Sequence, residues 1–287
     1  MSIEVKSLCC IYGGGTPFET KALEDVTFTI EKGEFVGIMG RTGCGKSTLI
    51  QAIAGLLPVF SGTVCLDGEN INSKGYNRSK LRQKLGIVFQ YPECQLFEST
   101  VFNDVAFGLK HSGLSKADVL DRVKWALEVC GFDYDKACMQ SPFGLSGGEK
   151  RRIAIAGVLA VKPEYLILDE PIAGLDPLGR EAFLKLITKL NTEGMTVIMV
   201  SHNADCIAEY AHRILILDDG RLAADGTPQE LFADTERMKS LHLGLSRSRE
   251  AGLMLSEKGF NIGPEVCTYN ELFSAVLGIL KGGDGDE

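Results

Sequence analysis

The chain has 287 residues, of which 45% are apolar, 24% charged and 8% aromatic, a composition that builds a large core and excludes disordered, collagenous and low-complexity proteins. Its formal charge is -8, from 30 Lys and Arg against 38 Asp and Glu, so no overall positive field draws it to phosphate backbones and general nucleic-acid binding is disfavoured. Its nine cysteines form no CxxC pair or regular framework, which fits reduced thiols in a cytosolic protein.

Alternating apolar residues Ile3, Val5 and Leu8, then Val26, Phe28 and Ile30, predict antiparallel strands at the N-terminus. FVGIMG at 35–40 differs: its continuous apolar run stops at glycine, the pattern of a buried parallel strand. LGIVF at 85–89, YLILD at 165–169 and TVIMV at 196–200 repeat that pattern, with helical periodicity between them at 47–57, 116–130, 149–160 and 180–190. Such alternation predicts an α/β core with a parallel sheet and crossover helices, the N-terminal strands packing as an antiparallel side sheet. After a short strand in RILILDDG at 213–220, Thr227, Pro228 and Glu230 announce a helix through a capping box. Residues 243–287 read as a small C-terminal appendage, with an LSRSRE stretch, a second capping box at Thr268 and Glu271, and a GGDGDE end expected to fray. MSIEVKSLCC lacks the basic start and apolar run of an export signal, and no stretch reaches the roughly 20 apolar residues that span a bilayer, so the chain is expected to be neither exported nor membrane-spanning by itself.

Gly40-Arg41-Thr42-Gly43-Cys44-Gly45-Lys46-Ser47 fits G-x-x-x-x-G-K-[ST] and lies between a predicted strand and a predicted helix, the context that makes it a phosphate-binding loop. Glycines let the backbone turn its N–H groups inward around phosphate oxygens, and the helix start adds its partial positive charge. Lys46 is expected to reach the β- and γ-phosphates of ATP and Ser47 to hold Mg²⁺, with Thr48 completing the loop. The same N–H groups and Lys46 would favour a thiolate at Cys44. YLILDEP at 165–171 delivers Asp169 and Glu170 to the carboxyl end of a strand, where ligands sit in open α/β sheets. Asp169 would orient the Mg²⁺ shell and Glu170 would polarise the attacking water.

Kinases, GTPases and helicases share those two features, so other residues must discriminate. LSGGEKRRIAIAG at 145–157 strongly resembles the signature motif of ATP-binding cassette (ABC) ATPases; Ser146, Gly147 and Gly148 open a helix and form a second anion-binding terminus. The resemblance implies that this signature closes on ATP held by an opposite subunit. It also implies that Gln90 is the Q-loop glutamine that senses Mg²⁺ and water, that Ala173-Gly174-Leu175-Asp176 is the D-loop at the subunit interface, and that His202 is the switch histidine contacting the γ-phosphate. Tyr12 matches the aromatic that stacks on adenine, with Phe18 as the alternative. The sequence departs from the family pattern at Glu149, where glutamine is usual, and at Ile172, where threonine is usual. A carboxylate at 149 pointing inward would repel the partner's nucleotide.

Four segments, YGGGTPFETKAL at 12–23, FQYPECQLFESTVFNDVAFG at 89–108, GEKRRIAIAGVLAVKPEYLILDEPIAGLDPLGR at 148–180 and DGTPQELF at 225–232, are most similar to the ATPase subunits of energy-coupling factor (ECF) transporters, importers of cobalt and vitamins. The resemblance implies a P-loop cassette over residues 1–242, with a helical signature subdomain at about 91–160, followed by the appendage at 243–287. It further implies an ATPase at the cytoplasmic face of the cell membrane, working with a second ATPase subunit, a transmembrane coupling subunit and a substrate-binding membrane subunit. The GTPFE insertion favours a related, non-identical second ATPase; a homodimer is the alternative. Residues 92–108 are expected to form the groove that receives the coupling subunit, with Glu93, Glu98 and Asp104 facing its arginines; a short helix packed on the core is the alternative there. A soluble ABC ATPase acting on ribosomes or DNA is the competing reading, disfavoured because the segment between Lys46 and Ser146 leaves no room for a long coiled coil.

Overall fold

The computed structural model describes residues 2–110 and 112–282. Strands β1 (Ser2–Tyr12), β2 (Thr20–Glu31), β4 (Ser61–Leu66) and β5 (Glu69–Asn70) form an antiparallel sheet in the order β2-β1-β4-β5. Between them in the chain, β3 (Phe35–Met39) enters a second sheet with β6 (Leu85–Val88), β7 (Tyr165–Asp169), β8 (Thr196–Val200), β9 (Arg213–Asp218) and β10 (Arg221–Gly226), in the order β10-β9-β3-β8-β7-β6. Five of these strands run parallel; β10 pairs antiparallel with β9. The larger sheet is therefore mixed, and its antiparallel edge was not legible in RLAADG, which has little apolar periodicity.

The larger sheet is buried on both faces, which is why its strands read as unbroken apolar runs. Phe35 and Met39 of β3, Leu166 and Leu168 of β7, and Val197 and Met199 of β8 point into one core cluster. Their neighbours Val36, Ile38, Tyr165, Ile167, Ile198 and Val200 point into the other, beneath the side sheet. This period-2 alternation divides the interior into two cores. Ile3, Val5, Leu8, Val26 and Ile30 are fully buried in the second core and Phe28 nearly so, matching the alternation read for the side sheet.

Helix α1 (Lys46–Ile53) follows β3 and stops earlier than its apolar pattern, because Gly55 turns at φ 65° and Pro58 follows. After α2 (Arg78–Lys84) and β6 come α3 (Val101–Ala106), α4 (Lys116–Val129), α5 (Tyr134–Ala137) and α6 (Gly147–Ala160), a helical unit in which α3 and α4 pack on α6. Ser115 and Asp118 form a capping box at the start of α4. Helix α7 (Pro177–Thr192) leads into β8 and α8 (Ala204–Tyr210) into β9. Among the described residues no helix is long and apolar enough to cross a membrane.

Beyond β10, α9 (Pro228–Ala233) begins with the expected Thr227–Glu230 capping box, and α10 (Thr235–Ser240), α11 (Arg247–Glu257) and α12 (Tyr269–Gly282) follow. Residues past 243 are tied back to the cassette. The Arg247 N–H donates to Asp205 (2.6 Å), Arg249 Nε donates to the Phe232 carbonyl (3.2 Å), and Cys267 belongs to the main core. The final GDGDE of the expected frayed end lies outside the described residues.

Candidate active site

Val200 of β8 is in register with Ile38 of β3 on one side and Asp169 of β7 on the other. The carboxyl ends of three neighbouring strands are therefore level, and the segments that leave them meet: the loop 40–47 after β3, Asp169–Glu170 at β7, and His202 after β8. Gln90 follows β6, the next strand outward, and its side chain is exposed.

Loop 40–47 is shaped by glycines. Gly40 has φ 149°, and a Cβ there would stand 2.3 Å from the Leu217 carbonyl oxygen; Gly45, the N-cap of α1, has φ 105°, and a Cβ would stand 2.6 Å from the Ala22 carbonyl oxygen. Only glycine fits where β9 and β2 press this closely on the loop. A hydrogen bond from Gly220 N to the Cys44 carbonyl (3.0 Å) completes the brace. Lys46 lies along the loop, its ammonium donating to the carbonyls of Gly40 (2.6 Å) and Arg41 (2.8 Å). Arg41, Thr42, Gly43, Cys44, Asp218 and Asp219 line a cavity of about 380 Å³ at its mouth. Ser47 is exposed at the start of α1, and Thr48, mostly buried, shares a hydrogen bond with the Tyr12 hydroxyl (3.2 Å), which brings the half-exposed Tyr12 ring beside the helix start. Phe18 is 85% exposed. Cys44 is buried against the core beneath the loop, its thiol 3.9 Å from the Lys46 ammonium.

Glu170 adopts φ 47°, a left-handed conformation costly for a side chain of this size. Its Oε1 accepts two hydrogen bonds from one residue, His202 N at 3.1 Å and His202 Nδ1 at 2.9 Å. A carboxylate oxygen only accepts, so this contact fixes the hydrogen on Nδ1 and leaves Nε2 facing out. Burial pushes the Asp169 carboxyl up, the adjacent Glu170 adds to this, and Lys46 opposes it.

The signature residues stand elsewhere. Ser146 caps α6, accepting from Glu149 N, while Glu149 Oε2 accepts from Ser146 N (2.9 Å) and Ser146 Oγ (2.6 Å). The carboxylate at 149 is thus turned back on the serine, whose hydroxyl, together with the Ser146 N–H, holds it below the usual range. Ser146, Gly148 and Glu149 line a cavity of about 450 Å³ with Leu175, Asp176 and Gly179; Gly147 is the first residue of α6, and Asp176 caps α7 by accepting from Gly179 N at 2.8 Å. None of the loop 40–47 residues lines this cavity. Ile172 is a core residue, 4% exposed, which accounts for an aliphatic side chain there.

The three acids of 92–108 differ in their contacts within the chain. Asp104 accepts from the Phe97 and Glu98 N–H groups (3.2 Å each), Glu98 pairs with Lys110 (2.7 Å), and Glu93 lies against α6 with its Oε2 buried. Asp104 and Glu98 are engaged within the chain, whereas the buried Glu93 Oε2 has no hydrogen-bond partner. What the segment does present is apolar: Phe97 and Phe107 are exposed, edge to face at 4.7 Å, and border a groove of about 350 Å³ floored by Ile153, Ala154 and Gly157 of α6. The short helix read as the alternative is present as α3, whose Val101 and Val105 are fully buried. Arg151 escaped the sequence reading. Its signal was its spacing: it precedes the buried Ile155 and Leu159 by four and eight residues, on the inner face of α6.

The profile of the ABC transporter family matches residues 23–173. The energy-coupling factor transporter ATP-binding protein EcfA2 of Symbiobacterium thermophilum is 48% identical over 285 residues, 99% of both chains. The protein of the same name from Clostridioides difficile is 45% identical over 98% of this chain and 99% of its own. This chain belongs to the energy-coupling factor transporter ATP-binding proteins. Its fold agrees with solved relatives of this ABC family. The structure of cbiO1 from Clostridium perfringens, described as part of the ABC transporter complex cbiONQ, superposes with a TM-score of 0.72 at 38% identity, covering 83% of this chain and 93% of that one. A dimeric ATP-binding cassette in a post-hydrolysis state with ADP and Pi gives 0.70 at 30% identity, covering 79% and 98%. As an ECF-type ABC ATPase the chain binds ATP and couples its hydrolysis to transport.

Proposed function

We propose that the chain hydrolyses ATP at a composite site, its own loop 40–47 closing on the signature of a second ATPase subunit, and thereby drives uptake of a micronutrient, a vitamin or metal ion, through membrane partners. In this reading Gly40, Thr42, Gly43, Cys44, Gly45, Lys46, Ser47 and Thr48 cradle the phosphates through backbone N–H groups and Lys46, while Tyr12 lies against the base. Glu170 takes the proton of the attacking water, His202 holds that carboxylate and presents Nε2 toward the γ-phosphate, and Gln90 orients the water. No group of three or more His, Cys, Asp or Glu side chains among the described residues could cage a metal ion. Mg²⁺ suits such a site, because it takes one or two protein oxygens and fills its shell from phosphate and water. Ser47, Gln90 and Asp169 would hold it, and when bound it would neutralise charge between the β- and γ-phosphates.

Residues 1–242 would act as the ATPase unit, with 91–160 as its helical subdomain and 243–287 as an appendage. Ser146, Gly147, Gly148 and Asp176 would serve the partner's nucleotide, a related non-identical chain being the preferred second subunit. The apolar groove between Phe97, Phe107 and α6 would seat the transmembrane coupling subunit, a separate membrane subunit would bind the solute, and the ATPase would lie peripherally at the cytoplasmic face. The observation that carries this reading is the two-point grip of His202 on Glu170 at the strand end level with the phosphate loop. Glu170→Gln in the assembled transporter should retain ATP binding while hydrolysis falls by about 10²-fold or more. Near-normal turnover would remove Glu170 from its role.

A further inference from the structure

Arg151 is 4% exposed, an unusual burial for a guanidinium. It is the fifth residue of α6, yet its hydrogen bonds leave the helix. Nη1 donates to the Ala173 carbonyl (2.5 Å) and Nη2 to the Glu170 carbonyl (3.4 Å). These are the two ends of the turn that follows β7, itself closed by Ala173 N donating to Glu170 O at 3.2 Å. The planar fork of arginine is suited to grip two carbonyls in a fixed relation. That turn carries the left-handed backbone of Glu170, a conformation that persists only when its surroundings hold it.

On its other side Arg151 meets the turn 92–95, which packs against α6. Burial pulls the Arg151 guanidinium down from its ordinary range, and Glu93 and Tyr91 oppose this, so both lie within electrostatic reach. Two buried polar atoms in this contact have no hydrogen-bond partner: Arg151 Nε, a donor, and Glu93 Oε2, an acceptor. Unpaired buried groups are costly, and a charge-assisted bond between them would relieve both. Gln95, Leu96 and Phe97, two to four residues after Glu93, line the apolar groove together with Ile153 and Ala154 of α6.

We propose that Arg151 is a positioning residue that holds the Glu170 backbone, and that Glu93 sets its grip according to how the 92–97 segment is seated by the occupant of the groove. The inference rests on the assignment of Glu170 as general base. Closing the Glu93–Arg151 contact draws the guanidinium toward turn 92–95 and with it the carbonyls of Glu170 and Ala173, which changes how Glu170 meets His202. Occupancy of the groove is thereby read at the carboxylate without passing through the nucleotide.

The test uses the assembled transporter and compares Arg151→Gln, Arg151→Lys, Glu93→Gln, the double variant Arg151→Gln/Glu93→Gln, and Glu170→Gln. For Arg151→Gln, kcat should fall by about tenfold or more while KM for ATP and the affinity for a fluorescent ATP analogue stay within about twofold. Arg151→Lys, which keeps the charge but not the fork, should lie between that variant and the parent. Glu93→Gln should also lower kcat, and the double variant should be no slower than Arg151→Gln alone, because the two residues act as one unit. A structural role alone would instead lower nucleotide affinity and melting temperature in step with turnover. Parental kcat in Arg151→Gln, losses in KM that track kcat, or losses in the double variant that multiply would each overturn the proposal. If Arg151→Gln does not fold, Arg151→Lys and Glu93→Gln carry the same kcat-against-KM criterion. Full turnover in Glu170→Gln defeats the general-base assignment, whereas a dead Glu170→Gln beside a fully active Arg151→Gln defeats this inference alone.

Discussion

Glu149 occupies the third position of α6, where its carboxylate binds Ser146 N and Oγ. A negative charge is already seated at the helix end that the signature would offer to a nucleotide, and a helix terminus favours only so much negative charge. Glutamine in its place keeps the reciprocal cap and removes the charge. Glu149→Gln is therefore expected to lower KM for ATP in the assembled transporter by about 2- to 5-fold, the worth of one charge at an exposed helix end. Steady-state ATPase measured against ATP concentration checks this, and an unchanged KM would show that the bound carboxylate is electrically silent toward the partner's nucleotide.

At the scale of elements, the join between α11 and α12 depends on one acid. Glu271 Oε2 accepts from Cys267 N (2.9 Å) and Thr268 N (2.8 Å), its Oε1 accepts from the Gln229 amide (2.9 Å), and Thr268 Oγ1 accepts from Glu271 N (3.3 Å). Burial opposes its ionisation, but these donors outweigh burial and hold the carboxyl at about 2 against an ordinary value of 4.5. A depressed pKa contributes stability above the unfolded value and loses it as pH falls through the folded one. The C-terminal helices should therefore loosen between pH 4.5 and about 2. Glu271→Gln should cost roughly 1 kcal/mol at neutral pH, as for loss of a helix cap, and should flatten that acid dependence. Thermal melts across this range, with limited proteolysis reporting on α12, would measure it; identical acid profiles for the two proteins would mean the network contributes nothing.

On the scale of the whole molecule, the composite site proposed above would leave one chain with two half-sites. The cavity at loop 40–47 and the cavity under Ser146 share no lining residue, so neither holds both a phosphate cradle and a signature. Turnover by the isolated chain should rise with about the square of its concentration at high dilution and become linear only once pairs are saturated, as mass action requires. A specific activity independent of concentration, in a sample shown to be monomeric, would mean that a single chain suffices.

The glycine-rich loop, the acidic strand end and the strands that carry them were legible in the sequence because each rests on local rules. Glycine is required where φ is positive at 43 and 45, a run of apolar residues marks a strand buried on both faces, and serine or threonine opens α6 and α9. What lay beyond those rules was decided by packing across the sheet and between helices. Cys44 is buried because its thiol packs beneath the loop, where a Cβ at Gly40 would stand 2.5 Å from it. Glu93, Glu98 and Asp104 read as three equivalent surface acids, yet Lys110 holds Glu98, two backbone N–H groups hold Asp104, and Glu93 has an oxygen buried without a partner. Arg151 and Arg152 are neighbours of the same type, and only the rotation of α6 against β7 buries the first among the carbonyls of Glu170 and Ala173 while the second donates to the Cys130 carbonyl. Residue type and spacing announce which chemistry a chain carries; which charges meet inside it depends on contacts between residues far apart in sequence, where no local pattern records the partner.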